Sequence, residues 1–126
     1  MKVLIADDDK ELAQVLANCV TACGHEVVGT VTGGGLAVIQ AFARCEADAV
    51  LLDIMMPRYN GLTVCHALLS RKPDAKVIFV SGSADKSDPF VKGCGAAAYL
   101  QKPVSLTELR AALDSVQQQQ AGVVEA

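Results

Sequence analysis

An apolar run that stops on a single carboxylate constrains this chain more than any other feature. The stretch "VLLDIMMP" at residues 50–57 carries Asp53 at that point, and three other runs behave alike. Residues 3–6 run into Asp7, Asp8 and Asp9; residues 76–81 end on Ser81, followed by Gly82 and Ser83; residues 97–101 run into Lys102 and Pro103. Such short, nearly continuous apolar runs read as strands buried on both faces, the habit of parallel sheets. Residues 49–53 form the third of these strands, and residues 26–31 supply one more.

Helical patterns lie between the strands. Leu12, Val15, Leu16, Cys19 and Val20 recur at helical spacing before Gly24. After Gly33, Gly34 and Gly35, residues 37–44 read as a short helix; Leu62, Val64, Cys65, Leu68 and Leu69 mark another, stopped before Pro73. Ser105 and Glu108 form a capping box ahead of the stripe Leu106, Leu109, Leu113, Val116. Between Ser81 and Ala96, Asp88 can cap and Pro89 can open a helix, but Gly93 and Gly95 leave room for one or two turns. A short, mobile fourth helix is expected there. Gln117 to Gln120 continue the last helix or fray, and residues 121–126 are expected to be a disordered tail after a single domain at 1–120.

Strand–helix alternation repeated five times predicts an α/β fold: a doubly wound, five-stranded parallel sheet with five helices on its two faces. Right-handed crossovers restrict the topology. In open sheets of this kind, ligands bind outside the carboxyl ends of the strands.

Composition narrows the function. The chain has 126 residues, 52% of them apolar, with no Trp, three Phe and two Tyr, so its core must be mostly Val, Leu, Ile and Ala. The net charge of -3 argues against a nucleic-acid partner, which needs a basic face. No apolar run is long enough for a membrane span, and the first is too short for a signal peptide. A cytoplasmic location is the default. The five cysteines form no Cys-x-x-Cys pair; Cys19, Cys23 and Cys65 read as small core hydrophobes. His25 and His66 lack partners at zinc-ligand spacing and read as surface or boundary residues.

The carboxyl edge therefore gathers up to four carboxylates, a hydroxyl and an ammonium. Any one could be a helix cap or turn residue, as Asp8 or Asp9 could be for the first helix. Their coincidence at strand ends points to a site. Two carboxylates about 4 Å apart repel by roughly 4 kcal/mol at an effective dielectric of about 20. A cation or proton uptake must offset that, and an all-oxygen site suits magnesium. An aspartate beside magnesium, a lysine and a hydroxyl can attack phosphorus to give an aspartyl phosphate.

The stretches "VLIADDD", "DAVLLDIMMPRYNGL", "VIFVSGSA" and "AAAYLQKPVSLTEL", in this order, resemble a response-regulator receiver domain of two-component signalling, in the CheY-like superfamily. The resemblance covers residues 2 to 117 and implies a flavodoxin-like sheet of order 2-1-3-4-5. It implies that Asp53 is the phosphorylation site, with Asp8 a direct magnesium ligand, Asp7 acting often through water, and the Met55 carbonyl completing the metal shell. Lys102 matches the active-site lysine, Pro103 the proline after it, Ser81 the switch hydroxyl, Tyr99 the switch aromatic and Gly61 the glycine before the third helix. A histidine kinase or histidine phosphotransfer protein would supply the phosphoryl group. A downstream protein would read the face made by the fourth helix, fifth strand and last helix; dimerisation on phosphorylation stays open.

Gly82 departs from the alanine common after the switch serine, and the apolar Met55 offers no hydrogen bond to a hydrolytic water. The methionine just before the first strand suggests that no long segment precedes it. A stand-alone receiver is the expectation, though an excised domain would read the same. Two other readings compete. One is a receiver-like interaction module that is never phosphorylated. The other is a phosphatase of the haloacid dehalogenase type, whose motif would use Asp7 and Asp9 but is broken by Glu11 where Thr or Val is wanted.

Overall fold

The apolar runs become strands of one sheet because neither of their faces can be left in water. The computed structural model describes residues 1–54, 61–82, 93 and 95–125, the stretch 119–125 as backbone only. Its elements follow the chain as β1 (Lys2–Ala6), α1 (Lys10–Ala22), β2 (Glu26–Val31), α2 (Gly35–Cys45), β3 (Ala49–Leu52), α3 (Gly61–Arg71), β4 (Lys76–Ser81), β5 (Ala98–Gln101) and α4 (Leu106–Glu125). The strands are all parallel, in the order β2-β1-β3-β4-β5. Among the described residues the helices number four, not five. The short helix expected between Ser81 and Ala96 falls largely outside the described residues.

Alternate side chains of each strand feed two separate cores, as strand geometry requires. Leu4, Val50, Leu52, Val77 and Phe79 point to one face and pack with Val38, Phe42, Val64 and Leu68 of α2 and α3. Val3, Ile5, Leu51, Ile78 and Val80 point to the other, against Leu16 and Val20 of α1 and Leu109, Leu113 and Val116 of α4. Each fully buried Leu, Ile or Val contributes roughly 1.5 to 3 kcal/mol of transfer free energy. Cys65 joins the first core, whereas Cys19 and Cys23 lie half-buried at the margin of the second.

Helix ends follow the sequence signals closely. Asp9 caps α1, its carboxylate accepting from the Glu11 and Leu12 amides at 3.0 and 3.2 Å. Gly24, at φ +87, turns the chain out of α1 in the left-handed region that a side chain would resist. The Ser105 hydroxyl accepts from the Glu108 amide at 3.1 Å, and the Glu108 carboxylate takes the Ser105 hydroxyl rather than a backbone amide, at 3.2 Å. Gln117 to Gln120 continue α4, which runs on through residues 121–125.

His25, expected at the surface or the core boundary, is buried to 8% exposure. Its Nδ1 lies 3.1 Å from the amino group of Met1, and its Nε2 is buried with no hydrogen-bond partner among the described residues. Burial, and then that positive amino group, hold the imidazole pKa below its usual value; Asp114 pulls weakly the other way. A lowered native pKa means that the unfolded chain takes up a proton first as pH falls. Stability is therefore lost on acidification from about pH 6.5 downward. The melting temperature should fall between about pH 7.5 and about pH 5.5, and fall less in His25→Phe. Equal slopes for the two proteins would remove His25 as the cause.

Candidate functional site

The site is built by backbone hydrogen bonds that run one residue past the strands. The Asp7 amide donates to the Val31 carbonyl, the Asp53 amide to the Ala6 carbonyl, and the Lys102 amide to the Ser81 carbonyl, each at 3.0 Å. Asp7, Asp53 and Lys102 therefore stand at the carboxyl edge on the ladder's own spacing. All three share the strand parity of the face under α1 and α4. Ser81 and Tyr99 have the opposite parity; Tyr99 pairs with Phe79 across β4 and β5 and packs at the edge of the core beneath α2 and α3.

The carboxylates do cluster. One oxygen from each of Asp7, Asp8 and Asp53 lies within 4.8 Å of the others. Asp7 and Asp53 are buried, at 1% and 4% exposure, while Asp8 faces solvent. Burial strengthens the repulsion within the cluster, since less water screens it.

Lys102 supplies the opposing charge. Its stem crosses the ends of β4 and β3, bringing Nζ to 2.9 Å from Asp7 Oδ2 and 3.3 Å from Asp53 Oδ2. The Asp7 contact is an ion pair, and Oδ2 has no other polar partner among the described residues. Asp7 Oδ1 accepts from the Asp9 amide at 2.9 Å. Burial alone would lower the Lys102 pKa, but Asp7 and Asp53 together outweigh it and hold the pKa above the usual lysine value. Three carboxylates against one ammonium still leave a negative pocket. An all-oxygen donor set this tight, with one buried oxygen partnered by Lys102 alone among the described residues, suits a hard divalent cation such as magnesium.

Ser81 is fully buried at the neighbouring strand end. The Lys102–Pro103 peptide is cis. Met55 and Ser83 lie outside the described residues, so the metal-shell role expected of the Met55 carbonyl has no geometry here. Asp9 does not join the cluster, because its carboxylate is committed to capping α1. That removes the second aspartate which the phosphatase reading needed.

Gly61 has a role that its place in the sequence does not reveal. Its amide donates to the Ile54 carbonyl at 2.6 Å. A Cβ there would sit 2.5 Å from Ile54 Cα and 2.7 Å from the Asp53 carbonyl oxygen. The first residue of α3 thus presses directly on the backbone that carries the central carboxylate.

A family model described as a response regulator receiver domain matches residues 3–114. Curated relatives include Response regulator MprA of Mycobacterium leprae, 34% identical over 113 residues, covering 88% of this chain and 48% of that protein. Sensory transduction protein RegX3 of Mycolicibacterium smegmatis is 38% identical over 115 residues, covering 90% of this chain and 49% of that protein. The chain thus spans about half the length of the curated relatives it matches. Among solved structures, a response regulator receiver domain protein from Clostridium thermocellum superposes with a TM-score of 0.83 at 25% identity, covering 95% of this chain and 97% of that one. Response regulator protein TrrA from Thermotoga maritima, in complex with Mg(2+)-BeF, gives a TM-score of 0.82 at 27% identity over 91% of this chain and 97% of that one.

Proposed function

This chain belongs to the response regulator receiver domain family of two-component signalling, and from that premise we propose that it is a switch set by a phosphoryl group on Asp53. The observation that carries this reading is the buried Asp53 carboxylate, held within 4.8 Å of the Asp7 and Asp8 oxygens and 3.3 Å from the Lys102 ammonium. The complex of TrrA with Mg(2+)-BeF supports it from a relative at 27% identity.

An Asp53 oxygen attacks phosphorus, a new P–O bond forms, and the bond from phosphorus to the donor breaks. The donor's electron pair leaves with its own nitrogen or oxygen. Asp8, Asp7, Asp53 and the Met55 carbonyl are the groups that would hold magnesium. When bound, that ion neutralises charge shared between carboxylate and phosphoryl oxygens. Lys102 offsets the charge that the phosphoryl group brings. Ser81 donates a hydrogen bond to a phosphoryl oxygen, and its inward movement lets Tyr99 follow.

The donor in this reading is a histidine kinase or a histidine phosphotransfer protein. The output is a change in the face made by the segment between β4 and β5, by β5 itself and by α4, which controls the docking of a downstream protein, or relay of the phosphoryl group from Asp53 to a histidine of another protein. Residues 1–120 act as the receiver unit and 121–126 as its tail. The chemistry is confined to the protein's own phosphorylation and dephosphorylation, with no separate substrate. In this reading the chain is cytoplasmic and binds neither membrane nor nucleic acid. No described helix is long and apolar enough to cross a membrane.

Incubation with acetyl phosphate and magnesium tests the proposal. One phosphoryl group should appear on Asp53. A chain that stays unmodified would favour the interaction module that keeps the fold without the chemistry.

A further inference from the structure

The aspartate that stays out of the carboxylate cluster is tied to it through the backbone. The Asp9 amide donates to Asp7 Oδ1 at 2.9 Å. Two residues on, the pattern repeats: the Asp9 carboxylate accepts from the Glu11 and Leu12 amides at 3.0 and 3.2 Å, which caps α1. Asp7 and Asp9 thus make two side-chain turns in series, each carboxylate taking the amide two residues ahead. Asp8, a member of the cluster, is the residue between them. The helix end of this series is anchored, because Ala13, Leu16, Ala17 and Val20 bury α1 against the sheet. The bond from Asp9 fixes the plane of the Asp7 carboxylate and leaves Oδ2 to face the pocket, 2.9 Å from the Lys102 ammonium.

We infer that Asp9 is a positioning residue for the proposed metal site: by capping α1 it aims its own amide at Asp7 and fixes the backbone of Asp8, so the cap sets the metal affinity. The inference rests on reading the pocket as a magnesium site and adds a residue that gives that site no ligand. Asp9 is exposed, so its side chain has no packing role. What it holds is the extended backbone at φ -85 and ψ 106 from which the chain enters the helix. Without a side-chain acceptor at that position the first turn loses its cap. The Asp9 amide then loses its fixed direction toward Asp7. Magnesium is sensitive to such loosening, since it demands near-ideal octahedral placement of its oxygens.

Calorimetric magnesium titration of the full chain, without any phosphodonor, tests this. Asp9→Ala should raise the magnesium Kd by about tenfold. Asp9→Gln, whose longer side chain caps poorly, should follow it. Asp9→Asn and Asp9→Ser keep a capping oxygen without the charge and should stay within about twofold of wild type. Gly24→Ala is the stability control: strained at φ +87 beyond the other end of α1, it should melt lower and keep the wild-type Kd. A wild-type Kd in Asp9→Ala and Asp9→Gln would overturn the inference and leave the metal site standing. Equal weakening in all four Asp9 variants would overturn it too, by assigning the effect to the lost charge. Absence of magnesium binding in wild type would overturn the metal site and the inference together.

Discussion

Asp53→Asn melts higher than wild type when metal is chelated, by roughly 1 to 2 kcal/mol or roughly 3 to 8 °C. The sign is decided by what the asparagine removes. A buried carboxylate at 4% exposure loses its charge, and with it the repulsion from Asp7 and Asp8. Each such repulsion is of the order of 4 kcal/mol at about 4 Å and an effective dielectric of about 20. Against this stands the lost attraction to Lys102 at 3.3 Å, but Lys102 keeps its nearer partner Asp7 at 2.9 Å. Removing the desolvation penalty of the buried charge adds to the gain. Magnesium should then narrow the gap, because it stabilises wild type by mass action more than the variant. Thermal melts in chelator and in millimolar magnesium make the comparison. A variant that melts lower in chelator would show that the Lys102 pairing outweighs the crowding.

Gly61→Ala destabilises the fold by roughly 3 kcal/mol or more and disturbs Asp53 as it does so. The new methyl would meet Ile54 Cα at 2.5 Å and the Asp53 carbonyl oxygen at 2.7 Å, both backbone atoms that cannot swing aside. Either α3 withdraws from the sheet edge or the Asp53–Ile54 segment shifts. Gly82→Ala, on the other side of the pocket, is the control. Its methyl would meet Lys102 Cβ at 3.7 Å and Cδ at 3.9 Å, ordinary packing distances. That variant should stay within about 1 kcal/mol of wild type. Denaturant melts of the two glycine variants decide it. If Gly61→Ala unfolds at the wild-type midpoint, the close packing of α3 on the site is wrong.

The sheet and its site edge were legible because burial on both faces leaves a plain record. Runs such as AVLL before Asp53 admit few alternatives, and a polar residue ending each run must sit at the strand's end. Strand-end positions therefore mark Asp7, Asp53, Ser81 and Lys102 in the sequence itself. The ion pair between Lys102 and Asp7 was not legible. It depends on a flexible stem crossing two strand ends, a distance that no local pattern encodes. Asp8 and Asp9 are the same residue type one position apart, and only the helix start decides that Asp9 caps α1 while Asp8 joins the cluster. His25 gave no sign of burial, since Gly24 and Glu26 beside it read as a turn and a polar strand start. What buries it comes from distant parts of the chain, with Met1 against its ring and Asp114 of α4 near enough to act on its charge. Gly61 read only as a loop glycine; the close approach it permits belongs to the folded backbone.

In the proposed switch, Asp53 accepts a phosphoryl group in a pocket whose charge is balanced by magnesium and Lys102. Intact mass after incubation with acetyl phosphate tests it most directly, on wild type and Asp53→Asn, each with magnesium and with chelator. Wild type with magnesium should carry one phosphoryl adduct, and the other three samples none. An adduct that persists in Asp53→Asn, or one that forms equally well in chelator, would contradict it.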